Sequence, residues 1–393
     1  MLEAAAMAFF RNDQVNWLNL HYGIHALAIS GGSVFFGAFL LHAGVPAPAV
    51  LLAIAAILAG RFVLRPWILP LARRLGLRTL VIVGAVLAAG EYPLLARVHG
   101  VGPGLYALVA LSSLADTIYW TCYHAYFAAL GDAEHRGHQI GAREAIAALV
   151  GIISPLAMGW GLNTLGPDIT FWITGLVMAV SALPLLATPE VVVLAEAPGA
   201  MAAGWAGVRF FAADGWIGSG VNFVWPIALF VTLGKSFTVF GVAMALAAVA
   251  GAVSGLVLGR WIDRGHGAKA VWGVTACVAL AFVFRSVSMG NPIAATLANA
   301  AGMVVTAIYV PTLMTAVYNL AQRSPCPVRF HIATEGGYDA GCSAALICAA
   351  GLLWIGVPFA LVLLLPLAGV AAQTWLLSRY YGAEAPLKPL ATI

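Results

Sequence analysis

The sequence runs to 393 residues, of which 62% are hydrophobic and only 9% charged, against roughly 25% charged in soluble domains, so water is excluded as its main solvent. The net charge of +4 is small and its basic residues are scattered through short loops, which excludes a phosphate-tracking patch and with it nucleic acid as a partner. Apolar runs close to the ~20 residues that cross ~30 Å of hydrocarbon recur along the whole chain, as in an all-α, multi-pass membrane protein.

Loops marked by Gly, Pro and charge divide the chain into twelve expected helices. In the first half they fall at about 17–43, 46–71, 79–98, 103–130, 139–163 and 168–188. In the second they fall at about 206–233, 237–260, 270–288, 292–320, 332–355 and 357–380. EVVVLAEAPGAMAAG is the one break between the sixes, so the expected organisation is a bundle over 1–189, a short cytoplasmic linker over 190–205 and a second bundle over 206–393. No basic segment precedes the first apolar run, so a cleaved signal peptide is not expected. Lys and Arg crowd the loops on one side (Arg73, Arg74, Arg78, Arg260, Arg264, Lys269 and others), with only Arg97 and Lys235 on the other. The positive-inside rule therefore puts both termini in the cytoplasm, and the inner (cytoplasmic) membrane is the expected location. The five cysteines lack CxxC spacing and are read as small buried hydrophobes.

An internal repeat underlies the two sixes. Arg74 and Arg264 lie 190 residues apart, as do Ile118-Tyr119 and Ile308-Tyr309, while Ala142-x-Glu144 matches Ala333-x-Glu335 at 191. Three matches at nearly one offset describe a duplicated six-helix unit, as in parallel transporter repeats.

Ionisable residues inside a bilayer cost roughly 2.5 to 3.5 kcal/mol each on insertion scales, so each needs a partner or a wet cavity. In helix one His21 and His25 share a face at metal-ligand spacing, but no Cys or acid stands near them in sequence, so no metal is expected and His25 is read as lining a cavity. In helix two Arg65 can snorkel toward the cytoplasm, whereas Arg61 lies too deep and requires either a carboxylate, Asp116 or Glu91, or a substrate anion. Helix four carries Asp116, Tyr119, Trp120, Tyr123, His124 and Phe127 as one polar and aromatic stripe. Glu144 opens helix five, and its repeat mate Glu335 stands one turn before Asp339 in helix eleven. A desolvated carboxylate is a usable proton carrier, and the same acids would serve equally as gate salt bridges. Helix seven adds Arg209, Asp214, Asn222 and Trp225 with a kink expected at Pro226; helix ten adds Tyr309, Thr312, Thr315 and Asn319. Gly234-Lys235-Ser236 lacks the leading glycine of a phosphate loop, since Leu229 stands there, and no catalytic motif appears. Neither an enzyme nor a cofactor is expected.

The loop GRWIDRGHGAK, 259–269, resembles the signature loop of the major facilitator superfamily, with Gly259, Asp263, Arg264 and Lys269 in place once one residue is inserted around His266-Gly267. PLARRLGLR, 70–78, is similar but carries Arg73 where the aspartate belongs. GIISPLAMG, 151–159, resembles the exporters' helix-five motif at Pro155 and Gly159 and tips the expected direction toward efflux. The resemblance implies two pseudo-symmetric six-helix bundles around a central cavity lined by helices one, four, seven and ten. It further implies a cytoplasmic latch at Asp263 and Arg264, facing the start of helix five. Its counterpart at Arg73 and Arg74 would be reversed in sign, with Glu335 as partner. The expected function is alternating-access secondary transport of a small organic solute by a monomer, coupled to protons through Asp116, Glu144, Asp214 or Glu335. His25, Arg61, Tyr119, Trp120, Tyr123, Asn222, Trp225 and Tyr309 are the expected binding residues. Uptake of an anionic metabolite, or a non-transporting receptor or assembly protein on the same fold, are the alternatives.

Overall fold

The computed structural model describes residues 12–130, 136–193, 198–262 and 267–383. They form twelve rods: α1 (Asp13–His42), α2 (Ala47–Leu75), α3 (Leu77–Ala96), α4 (Pro103–Leu130), α5 (Arg136–Thr164) and α6 (Pro167–Ser181, extended by the 3-10 turn Leu183–Ala187). The second half has α7 (Ala200–Gly218, continuing through a π-turn at Ser219–Val224 into Trp225–Thr232), α8 (Phe237–Ile262), α9 (Gly267–Val287), α10 (Pro292–Gln322), α11 (Pro327–Trp354) and α12 (Phe359–Val362, then Leu367–Ala383). Among the described residues eleven of these are long and apolar enough to cross a membrane, and α9 supplies a shorter apolar stretch over Val271–Val287.

Local chemistry explains the ends. Asn12 caps α1 by accepting from Gln14 N and Val15 N, and Asn291 caps α10 by accepting from Ile293 N and Ala294 N, each satisfying first-turn donors that the helix cannot. α11 begins at Pro327, ahead of the expected 332, because proline suits the first helical position, where no N–H is needed. α7 likewise begins at Ala200 rather than 206, directly after Gly199 at φ +79°. The expected continuous last helix is broken before Pro366, which cannot donate to the preceding turn.

The inter-half connection has a structural task of its own. Glu190 accepts from Arg78 N at 2.8 Å and Thr79 N at 3.2 Å, and from the Thr79 hydroxyl at 2.7 Å, capping α3 from outside that helix. Leu77 N donates to Val191 O at 2.8 Å beside it, and Gly76, at φ +83°, gives the carboxylate room that a Cβ would fill. We expect Glu190→Ala to cost about 1 kcal/mol, the usual worth of a lost N-cap, read as an earlier unfolding transition in detergent with Arg78 unchanged.

The halves meet along two seams, α2 against α11 and α5 against α8. In the second, a Cβ on Gly159 would come within 2.5 Å of Phe237 O and one on Gly241 within 2.4 Å of Pro155 O, so glycines permit the close approach. An even number of crossings returns the chain to the face it left, here called the terminal face. Away from that face one apolar core includes both halves, joining Phe35, Phe39 and Leu51 to Trp225, Ile227, Phe240 and Leu346. Toward it the core divides into two, one around Leu18, Val81 and Tyr126 and the other around Phe210, Phe282 and Leu377. The bundle is thus sealed at the far face and parted at the terminal face.

Candidate functional site: a charged ladder at the floor of the cleft

Four-residue spacing puts Arg61 and Arg65 on one face of α2, and Glu335 and Asp339 on one face of α11. The two faces meet. Arg61 Nη2 lies 3.1 Å from Asp339 Oδ1, Arg65 Nη1 lies 2.6 Å from Glu335 Oε2, and Arg65 Nη2 also binds Asp339 Oδ2. α4 closes the third side: Asp116 Oδ2 stands 3.7 Å from Arg61, Thr121 accepts from Arg65 at 3.1 Å, and His124 Nε2 is 4.0 Å from Glu335. Asp339 is fully buried, while the Asp116 side chain remains 32% exposed. Arg65 therefore does not snorkel as expected: it is buried and turned inward, because two carboxylates compensate it there and water would only have solvated it.

Above the ladder a cavity of ≈ 120 Å³ lies between the halves, with Arg61, Glu91, Asp116, Asn222, Phe36 and Phe223 among its walls. Glu91 accepts from Ser112 at 2.7 Å through one oxygen, while its other oxygen, Oε1, is buried without a hydrogen bond. Asn222 donates to the Tyr338 hydroxyl at 3.1 Å.

The aromatic stripe of α4 divides into two environments. Asp116, Trp120 and His124, four apart, border the cleft, whereas Tyr119 and Tyr123 are buried against α1. His25 stacks on Tyr119 at a centroid distance of 3.9 Å and 11°. His21 donates from Nδ1 to Ser181 O at 2.6 Å and meets the Tyr119 hydroxyl through Nε2 at 2.8 Å, tying α1, α4 and α6 together. A stripe spanning i to i+11 is wider than one helix–helix groove, so part of it must pack. His25, Tyr119 and Tyr123 are corrected accordingly, from cavity lining to core.

Two residues of the second half are corrected in the same way. Trp225 is buried and donates from Nε1 to Asn299 Oδ1 at 2.9 Å; Tyr309 is buried and donates to Asp214 Oδ1 at 2.8 Å. Both polar groups are consumed inside the second bundle, since buried Trp and Tyr must satisfy their N–H and O–H. Arg73 and Arg74 are exposed, and the expected Arg73–Glu335 pair is absent because Glu335 is taken by Arg65. Asp263 and Arg264 lie outside the described residues, and so does the side chain of Glu144. Among the described side chains no three His, Cys, Asp or Glu are placed to hold a metal ion. Arg65, Glu91 and Asp339 were not singled out as binding or coupling residues by sequence reasoning; the four-residue register shared by α2 and α11 was the available signal.

Among the described residues, twelve apolar rods in two halves, parted on one face around buried charge, have the architecture of a membrane transporter. Residues 18–325 match the profile of the Major Facilitator Superfamily, and the chain belongs to that family of secondary transporters; it is not an enzyme. Among solved structures it is similar to the crystal structure of the human organic anion transporter MFSD10 (TETRAN), with 14% identity over 93% of this chain and 98% of that one and a TM-score of 0.66. At that identity the likeness concerns the fold. No curated protein matches the sequence.

Proposed function

We propose that this chain is a proton-coupled exporter of a small organic solute, working as a monomer in the inner membrane with both termini cytoplasmic. The observation that carries the coupling is an imbalance of buried charge. Glu91, Asp116, Glu335 and Asp339 surround the cavity and ladder, while Arg61 and Arg65 are the arginines that face them. Four carboxylates against two guanidiniums leave excess negative charge at membrane depth, which bound protons would neutralise. His124, 4.0 Å from Glu335, and His331, one turn before it on α11, are further titratable groups of the cluster.

Geometry favours Asp116 as the carrier among the acids of the cluster: Glu335 and Asp339 are held in short ion pairs, while Asp116 is 3.7 Å from its arginine and exposed to the cleft. Asp214, bonded to Tyr309 within the second bundle, and Glu144 are the further candidates. Arg73, Arg74, Arg78, Arg323, Arg329 and Arg379 at the terminal face, with Arg97 and Lys235 opposite, support a cytoplasmic terminal face, and the parted cleft is then inward-facing. The gate that closes it would use Asp263 and Arg264, with Arg73 and Arg74 as the counterpart. Export is favoured by Pro155 and Gly159, which lie on the α5–α8 seam where the halves must slide. Trp120 and Asn222, with Arg61, are the binding residues that remain at the cleft. Uptake of an anion through Arg61 is the weaker reading, because that guanidinium already faces Asp339 and Asp116.

The test is flux in proteoliposomes. A panel of organic solutes should be driven uphill by an imposed pH gradient and released when the gradient is collapsed by an ionophore. Transport indifferent to the gradient would remove the coupling, and no movement of any solute would favour a receptor or assembly role.

A further inference from the structure

We propose that the outer groove between α7 and α12 is a binding site for an anionic phospholipid of the leaflet at the terminal face. The groove measures ≈ 450 Å³ and lies on the side of the second bundle away from the ladder. Its floor is made of small residues: Ala213 on α7 and Gly369 on α12, where a Cβ on Gly369 would meet Ala213 O at 3.0 Å. Trp216 and Trp375 form its walls. Trp216 is fixed by its indole N–H, which donates to Leu365 O at 3.1 Å. A strip of two turns, ~10 Å long, between indole walls accepts the upper part of an acyl chain.

The headgroup end is cationic. Arg209, two turns from Trp216 toward the terminal face, borders the groove and is exposed. Arg379, one turn beyond Trp375, has its guanidinium 4.3 Å from that ring centroid. Among the described residues neither arginine has a carboxylate within ion-pair reach, in contrast to Arg61 and Arg65. The apolar span of α7 covers 31 residues, ~46 Å against ~30 Å of hydrocarbon. Its surplus places Arg209 near the hydrocarbon boundary, within snorkelling reach of the phosphate level. A planar guanidinium pairs with phosphate in two parallel hydrogen bonds, and the indole–guanidinium stack on Trp375 orients the second one. A zwitterionic lipid brings its own ammonium to compete for the phosphate, which is why the site selects a net negative headgroup.

The experiment is native mass spectrometry of the purified full chain, delipidated and titrated with dioleoyl phosphatidylglycerol or dioleoyl phosphatidylcholine. Wild type should retain the phosphatidylglycerol in preference. Arg209→Gln with Arg379→Gln should lower that preference by roughly 25-fold, about fivefold for each arginine at a charged lipid surface. Ala372→Trp should fill the groove and lower phosphatidylglycerol occupancy while both arginines remain. All three positions are exposed, and an unchanged unfolding temperature confirms that each variant is folded. An unaltered preference in the double variant, or unaltered occupancy in Ala372→Trp, overturns the proposal.

Discussion

Asp339→Ala is expected to lower the stability of the protein by about 3–5 kcal/mol, the usual consequence of removing one partner from a buried ion pair. The argument rests on position. Asp339 is fully buried and is the one carboxylate that touches both Arg61 and Arg65, so its loss leaves two guanidiniums facing each other inside the membrane. Arg65 retains Glu335 at 2.6 Å, and Arg61 retains only Asp116 at 3.7 Å. The pair also crosses the seam between α2 and α11, so the damage falls on the contact between halves as well as on either half alone. Unfolding in detergent, followed by heat and by denaturant, measures the loss. Removing the charge from both sides, with Asp339→Asn and Arg61→Gln together, should recover part of it. An Asp339→Ala protein as stable as wild type would mean that the ladder carries no net stabilisation.

Asp116→Asn is expected to abolish uphill transport, by tenfold or more, while leaving folding and downhill exchange intact. Its carboxylate lies beyond hydrogen-bond distance from Arg61 and is partly exposed, so neutralising it disturbs the ladder little: Arg61 keeps Asp339 at 3.1 Å. What disappears is a group that can carry charge at one step and a proton at the next. Proteoliposome flux with and without an imposed pH gradient separates the two effects. If Asp116→Asn still accumulates solute against its gradient, the carrier is another acid of the cluster, with Glu91 the next to replace.

Much of the fold was legible in the sequence because it depends on local quantities. A run of apolar residues long enough to span hydrocarbon must become a helix there, since no other element except a closed barrel satisfies its backbone. Pro327 and Pro366 moved helix boundaries without changing their number. Arg61 was legible as a buried ion pair, because a guanidinium that deep demands a counter-charge, and Asp116 was among its foreseen partners.

Partner choice among the remaining charges was not legible. Arg65 and Glu335 are 270 positions apart, and nothing along the chain distinguishes Arg65 from a snorkelling arginine or Glu335 from a latch for Arg73. The α4 stripe shows the same limit: Tyr119 and Trp120 are neighbours in sequence, yet a rotation of 100° sends one into the core and the other to the cleft. The amino-acid sequence by itself determined a membrane-spanning chain of twelve helices in two related halves, because hydropathy and loop charge act within a single helix. Only the tertiary structure decided which carboxylate meets which arginine, which aromatic rings are buried and which face is open. Those outcomes depend on the rotation and crossing of helices packed against each other, and the free energy that sets them arises between segments far apart in the chain.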